Sequence, residues 1–304
     1  MKPFFSVIMP ALDRAYCIKR SLQSVLDQKF QDFEIIVFDA GSRDGTAEVA
    51  RSLNDPRIKV GTYPMSKGVN FSRNRAIEMA TGEWMVLLDS DDQLAPGAFD
   101  VIKKDINFLK GKYPLIRYGT CNVRTKRSQS FFDREQGEIS YEEWLKEKRM
   151  KGEFLNVVHR KIFEKEMFHE DMRAFEGYFW LKVAQKNKVW VHNVNLRLYD
   201  SSGENRLTKR FLRGEFIEER KYSYQKFLNT FRKDMEQLNP QLYVHNLSVL
   251  SYLYFLTGDK KRGREILKEI IKYHPNIKAY GIYLCSFLGK WPFRLVGQVA
   301  RWLY

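Results

Sequence analysis

The stretch "EWMVLLDSDD", residues 83–92, runs an apolar segment straight into acids. Its first half reads as a buried strand, the pattern of a sheet covered on both faces. Asp89, Asp91 and Asp92 then crowd three carboxylates into four residues around Ser90. Such charges repel one another unless a cation joins them. Oxygen ligands suit Mg2+ or Mn2+, and Mg2+ takes one or two carboxylates together with substrate phosphates. The same four residues also read as an acidic turn capping the next helix, since Asp is a favoured N-cap.

Upstream, "FSVIMPAL" (5–12), "FEIIVFDA" (33–40) and "RIKVGTYP" (57–64) read as three further strands. Between them, "YCIKRSLQSVLDQ" (16–28) puts Ile18, Leu22, Val25 and Leu26 on one helical face. "AEVARSLN" (47–54) and "FSRNRAIEMAT" (71–81) are predicted helices, the second ended by Gly82. Strands alternating with helices argue for an α/β sheet with right-handed crossovers. Ligands in such sheets gather at the carboxyl ends of strands, where Asp39 and Asp89 both fall. In "GSRDGT" (41–46), Gly41 and Gly45 allow a tight turn and close approach to a ligand. An ordinary strand–turn–helix link, with Asp44 near the helix start, fits those residues too. Neither GxGxxG nor GxxxxGK[ST] occurs, so neither a dinucleotide fold nor a P-loop is signalled.

The 304 residues are 44% hydrophobic, enough for one large domain and an appendage. Lys and Arg outnumber Asp and Glu by 52 to 37, a net +15. From Asn205 to Tyr304 the count is 19 basic to 8 acidic, so +11 of the excess lies in the last third. A basic surface attracts nucleic acid, anionic headgroups or anionic substrates, or is simply a solvated face. No nucleic-acid motif is present, so no nucleic-acid partner is expected. Cys17, Cys121 and Cys285 are odd in number and form no CxxC, which points to a reducing compartment and no zinc site. The start "MKPFFSVIMPALDR" reads as a first strand and not a signal peptide. No run of about 18 apolar residues occurs. The expected location is the cytoplasm, including a peripheral place on the cytoplasmic face of the membrane.

After Lys112 the pattern is mixed. "YPLIRYGTCNVRT" (113–125) and "VWVHNVNLRLYD" (189–200) read as strands, and "SYEEWLKEKRM" (140–150) and "YFWLKVAQKN" (178–187) as helices. From about Phe211 the chain reads as helical. There "LSVLSYLYFLTGD" and "KKRGREILKEIIKYHPN" form a hairpin like a single tetratricopeptide unit; solenoids need several copies, so this region is expected to be a helical appendage. The expected division is a catalytic domain over 1–210, with halves at 1–112 and 113–210, and a helical region over 211–304.

The segments "SVIMPAL", "EIIVFDAGSRDGT" and "GVNFSRNRAIEMATGEWMVLLDSDD" occur in this order. Together they resemble the family 2 glycosyltransferases, across roughly residues 5–210. The resemblance implies a GT-A fold, a Rossmann-like α/β mixed sheet flanked by helices. It implies inverting transfer of a sugar from a nucleotide-diphosphate donor, commonly UDP-linked, to a hydroxyl of a saccharide or lipid-linked acceptor. It also implies a divalent cation, Mn2+ or Mg2+, and a place in cell-surface polysaccharide, lipopolysaccharide or glycoprotein glycan assembly. By that resemblance Pro10 and Ala11 line the base pocket and Asp39 binds the base. Arg73 lies against base or diphosphate, Asp89 contacts ribose or metal beside Ser90, and Asp91 coordinates the metal. Asp13 stands where many relatives have Asn, and Ala40 where many have a second acid. A non-catalytic nucleotide-sugar binder of the same fold is the alternative.

"MFHEDMRAFEGYFWLKV" (167–183) resembles the family region that carries the catalytic base, but is one residue short. Matched from the left, Gly177 falls at the base position; matched from the right, Glu176 does. Glu176 is the only carboxylate in 174–183. It is the expected base, with a helix-start role as the other reading and Glu170 and Asp171 in reserve. "LYDSSGENRLTKR" (198–210) resembles the loop that follows the last core strand in many relatives. Arg206, Lys209 and Arg210 are expected to close over the diphosphate, and His192 to be structural. Trp291, Trp302 and Tyr304, near Lys290, Arg294 and Arg301, suit either an anionic membrane face or a helical cap.

Overall fold

A computed structural model describes residues 2–173, 175–200 and 214–273, with a few isolated positions beyond. Contacts divide the chain into two compact units, Met1–Arg206 and Leu207–Tyr304.

In the first unit, β1 (Phe5–Ala11), β2 (Phe33–Asp39), β3 (Ile58–Thr62) and β4 (Trp84–Leu87) run parallel in the order β3-β2-β1-β4. Every residue of β1, β2 and β4 is buried, because helices cover both faces. Alternate side chains point to opposite sides. Val7 and Met9 meet Ile18, Leu22 and Val25 of α1 (Ile18–Leu26) and Phe99, Ile102 and Ile106 of α4 (Ala98–Leu109). Ile8 and Ile36 meet Phe71, Ala76 and Ile77 of α3 (Val69–Met79), and Phe179, Trp180 and Val183 of α6 (Glu176–Lys186) share that second layer. The short α2 (Thr46–Arg51) follows β2.

The other half turns the sheet mixed. β10 (Phe154–His159) lies antiparallel between β4 and β6 (Leu115–Asn122). β11 (Val189–Tyr199) runs parallel to β6 and antiparallel to β5 (Gln93–Leu94) and β8 (Gln136–Ile139). β7 (Ser130–Phe132) and β9 (Met150–Gly152) form a separate ribbon.

Several expected elements change. The helix read over 140–150 is only α5 (Tyr141–Leu145). A capping box between Ser140 and Glu143 starts it, and Glu147 then takes a φ of +51°, which no helix continues through. Met150 goes on into β9. The strand β10 was not anticipated, because polar Asn156 interrupts its short apolar run. The strand that runs toward the acids ends at Leu87, and Ser90 and Asp91 lie in a turn.

The second unit contains α7 (Ile217–Leu238), α8 (Pro240–Thr257) and α9 (Lys260–Tyr273). Asn239 caps α8 by accepting the Leu242 N–H, with Pro240 at the first helical position. Gly258, at φ +91°, ends α8. Gly263 lets α9 approach the Phe255 ring; a Cβ there would sit 2.9 Å from it. The hairpin anticipated from sequence is therefore α8–α9, preceded by the long α7. No described helix is long and apolar enough to cross a membrane. The residues from Lys290 to Tyr304, which suit either a membrane face or a helical cap, lie outside the described residues.

Glu34 ties strands to the turn before β4. Its Oε1 accepts Ser6 Oγ at 2.6 Å, Thr81 Oγ1 at 2.9 Å and the Gly82 N–H at 3.2 Å, while Lys59 reaches Oε2 at 2.6 Å. Burial pushes this carboxyl up, but Lys59, Ser6 and Thr81 outweigh it and hold it down at about 2. A depressed folded value stabilises the fold above the unfolded value of 4.5 and loses that contribution as pH falls toward about 2. Glu34→Gln is expected to cost about 1–3 kcal/mol in urea unfolding at pH 7. The wild-type advantage should shrink between pH 4.5 and 2. An advantage independent of pH would show that the carboxylate charge is not what holds this junction.

Candidate active site

The parallel strands set their carboxyl ends side by side. Ala11 is in register with Asp39, so Pro10, Ala11 and Asp39 share one corner. The Ala40 N–H donates to the Ala11 carbonyl at 3.0 Å. Asp39 is buried and accepts the Ser42 N–H at 2.9 Å. Gly41 turns the chain at φ +84°, pressed so near Pro64 and Met65 that a Cβ would lie 2.9 Å from their backbone. Asp13, itself at φ +52°, donates its N–H to Ser42 Oγ and accepts the Arg43 N–H at 3.0 Å. Its carboxylate braces the 41–46 turn.

The acid turn is gripped from α1. The Ser90 carbonyl accepts Ser21 Oγ at 2.8 Å and Cys17 Sγ at 3.6 Å. Burial pushes the Cys17 thiol up to about 11, so it stays a protonated donor. Arg20 donates to the Asp91 carbonyl at 3.1 Å and pairs with Asp200 at 3.0 Å.

Arg73, buried on α3, holds two carboxylates at once. Nη1 lies 2.5 Å from Glu176 Oε1 and Nη2 lies 2.8 Å from Asp89 Oδ1. Burial opposes its charge, yet Glu176 and Asp89 outweigh that and raise its pKa. Arg197 of β11 takes the other oxygen of Asp89 at 3.0 Å and also pairs with Asp92. Burial opposes the Arg197 charge as well, and Asp92 and Asp89 outweigh it. Glu176, Arg73, Asp89, Arg197 and Asp92 thus form one unbroken row of alternating charge.

The delivery of Glu176 to this row also comes from α3. Asn70 Nδ2 donates to the carbonyls of His169 and Met172 at 3.0 and 2.7 Å. Asn74 Nδ2 donates to the Phe168 carbonyl at 2.8 Å, and the Phe168 N–H returns to Asn74 Oδ1 at 3.1 Å. These two side chains, one helical turn apart, clamp the segment that leads into α6. Glu176 is the first residue of α6 and its side chain is 37% exposed. Gly177 is exposed, and a Cβ there would meet open space. The reserve acids are occupied elsewhere. Glu170 pairs with Arg75 at 2.8 Å, and Asp171 lies 3.7 Å from His169.

Asp91 is the least satisfied acid of the turn. Burial, then the neighbouring Asp89, push its pKa up, while Arg14 stands 3.6 Å away. Asp92 is also pushed up, by burial above all, with Arg197 opposing. Among the described residues no three His, Cys, Asp or Glu side chains form a cage for a metal. A hard cation that keeps phosphate oxygens in its shell needs only one or two carboxylates, and Asp91 suits that role. Asp89 has both oxygens engaged by arginines. Arg206, Lys209 and Arg210 lie outside the described residues. His192 pairs with Asp105 at 2.7 Å on the α4 side of the sheet.

Sequence reasoning did not find Arg197 or Arg14. Arg197 sits three residues before Asp200 near the end of β11, and its partner Asp89 is 108 residues away in the chain. Arg14 adjoins Asp13 in the first loop.

Residues 6–170 match the profile described as Glycosyl transferase family 2, and the chain belongs to that family. It is 30% identical over 205 residues to a GalNAc(5)-diNAcBac-PP-undecaprenol beta-1,3-glucosyltransferase of Campylobacter jejuni, covering 65% of this chain and 64% of that protein. It is 27% identical over 231 residues to a UDP-Glc:alpha-D-GlcNAc-diphosphoundecaprenol beta-1,3-glucosyltransferase of Escherichia coli, covering 70% of this chain and 86% of that one. The chain thus spans just under two thirds of the first relative's length. In fold it is similar to S. aureus TarS 1-349 in complex with UDP-GlcNAc, with a TM-score of 0.65 at 16% identity over 99% of this chain and 91% of that one. A mannosyltransferase of Pyrobaculum calidifontis, in complex with GDP-Man and Mn2+, has a TM-score of 0.58 at 18% identity, covering all of this chain and 85% of that one. The mixed α/β sheet flanked by helices is therefore the GT-A architecture that the motifs implied.

Replacing Arg197 by Met removes the shared cation of Asp89 and Asp92. Leaving a buried carboxylate unpaired costs about 3–5 kcal/mol. Thermal and urea unfolding of the variant should show a loss of that order. Unchanged stability would mean that the two acids find another counter-charge.

Proposed function

We propose that the chain transfers a sugar from a UDP-sugar to a hydroxyl of a lipid-linked saccharide, with inversion, using Glu176 as the base. The observation that carries this reading is the row from Glu176 through Arg73 to Asp89, beside Asp91. It sets one half-exposed carboxylate, on its own helix, across a buried guanidinium from the acids suited to the donor. The names of the relatives support the donor and acceptor classes, since both are glucosyltransferases named for undecaprenol-diphosphate-linked saccharides, one with a UDP-Glc donor.

On this reading Asp39 takes the base with Pro10 and Ala11 beside it, and Asp13 holds the 41–46 turn in shape. Arg73 and Arg197 fix Asp89 for a donor contact, and Ser21 and Cys17 fix Ser90. Asp91, with Asp89 near, would hold a divalent cation, Mn2+ or Mg2+, which when bound neutralises charge on the diphosphate. Arg14 stands where it adds positive charge to the same region. Arg206, with Lys209 and Arg210, belongs to the segment proposed to cover the diphosphate. Glu176 accepts the proton of the attacking hydroxyl as the new bond forms on the opposite face of the sugar from the departing diphosphate. Arg73 orients that carboxylate. Residues 1–210 form the catalytic domain on this reading, and the basic residues of 211–304 suit an anionic membrane surface that carries the acceptor.

Glu176→Gln keeps the shape and removes the base. It is expected to lower kcat about 10²–10⁴-fold while UDP affinity in Mn2+ stays within a few-fold. Asp91→Ala is expected to abolish the metal-dependent part of UDP binding. Transfer and UDP binding are read separately, by product formation and by titration calorimetry. Near wild-type transfer by both variants would overturn the mechanism. Metal-dependent UDP binding by the wild type, with no transfer to any undecaprenol-linked saccharide, would favour the non-catalytic alternative.

A further inference from the structure

Arg117 lies in the middle of β6, and 6% of its surface is exposed. The rings of Trp144 and Phe154 cover its guanidinium, with centroids at 4.3 and 4.5 Å. Nε donates to Asn156 Oδ1 at 2.9 Å, and Nη1 points at the Met150 sulfur at 3.6 Å. No carboxylate lies within ion-pair distance of it among the described residues, whereas the equally buried Arg73 and Arg197 each hold two. Nη2 makes no hydrogen bond within the described protein, and it is not among the buried polar atoms sealed from solvent.

A buried charge is ordinarily paired. Burial pushes the Arg117 pKa down to about 9, which still leaves it cationic at neutral pH, and the charges that reach it from further off are those of Glu153 and Glu176. Its place in the sheet is informative. Arg117 is opposite Asn156, and Asn156 is opposite Leu87, two residues before Asp89. It therefore stands two strands, or about 10 Å, to the side of Leu87, where β4 ends ahead of the acid turn. Its Phe154 and Met150 neighbours belong to the layer shared with α3 and α6. A cation packed against two aromatic rings, with two of its nitrogens engaged and the third not sealed from solvent, can present a single N–H edge to an anion.

We propose that Arg117 forms an anion subsite that takes an oxyanion group of the acceptor, a phosphate or a sugar carboxylate, beside the hydroxyl to be glycosylated. This rests on the reading of Glu176 as the acceptor-side base. Trp144 and Phe154 hold the guanidinium plane, Asn156 sets its rotation, and Nη2 donates to the anion. Acceptors carrying such a group are then selected over neutral ones.

The test uses the full chain saturated with UDP and Mg2+, so that the donor site is filled. Inorganic phosphate and glucuronate are titrated separately by calorimetry into wild type, Arg117→Met and Arg117→Lys. Wild type is expected to show saturable binding of one of them, and which one distinguishes a phosphate from a carboxylate on the acceptor. Arg117→Met keeps the packing and should weaken that binding at least about tenfold, the worth of a charge-assisted hydrogen bond. Arg117→Lys should recover part of it. UDP affinity and cooperative melting report that each variant is folded. No saturable binding by wild type, or equal binding by Arg117→Met, overturns the proposal. Loss of anion binding in Arg117→Met together with wild-type transfer by Glu176→Gln would leave the subsite standing and sink the base assignment.

Discussion

Arg73 has its two terminal nitrogens on two different carboxylates, Glu176 at 2.5 Å and Asp89 at 2.8 Å. A buried guanidinium needs such partners, because desolvation of an unpaired charge is costly. The need works in both directions. It pins the first residue of α6 to the centre of α3, and it pins the turn after β4 to the same point. Asn70 and Asn74 extend the constraint along the helix by holding the backbone of 168–172. Most helices of an α/β sheet bury an apolar stripe. This one buries Asn70, Ser72, Arg73 and Asn74 among its apolar residues, and so carries the geometry of the site as well as part of the core.

The second constraint is electrostatic. Three acids in four residues repel one another, and the fold answers with cations from separate elements: Arg73 from α3, Arg197 from β11, Arg14 from the first loop. Asp89 is satisfied twice over and Asp92 is held by Arg197, which leaves Asp91 as the acid whose charge the protein compensates least. The backbone of the turn is meanwhile clamped by Ser21 and Arg20 of α1 and by Cys17 at its N-cap. A polar turn at a strand end is thereby made rigid without using up its outward carboxylate.

The parallel half of the fold was legible because its evidence is local. Continuous apolar runs, amphipathic helices and turn glycines are read within about ten residues of one another. The antiparallel half was not. β10 is short and interrupted by Asn156, which faces Arg117, so its apolar signal was weak. The helix read over 140–150 had a sound start at Ser140, yet strand pairing between Met150 and Phe132 claimed its end. At the site, Asp39, Arg73, Asp89, Asp91 and Glu176 were all singled out through the family resemblance that the ordered motifs carry. Arg197 was passed over, because nothing near Arg197 in the chain announces a partner 108 residues away.

The sequence by itself determined the class of the fold, the family and the corner where the acids gather, since apolar periodicity and short motifs are properties of neighbouring residues. It left two alignments of 174–183 open, one placing Gly177 at the critical position and one placing Glu176. Only the tertiary structure decided which residue meets the row of charges. Gly177 faces open space at the surface of α6, and Glu176 reaches Arg73. That outcome depends on where Asn70 and Asn74 hold the incoming chain, a long-range packing and hydrogen-bonding effect that no local pattern encodes.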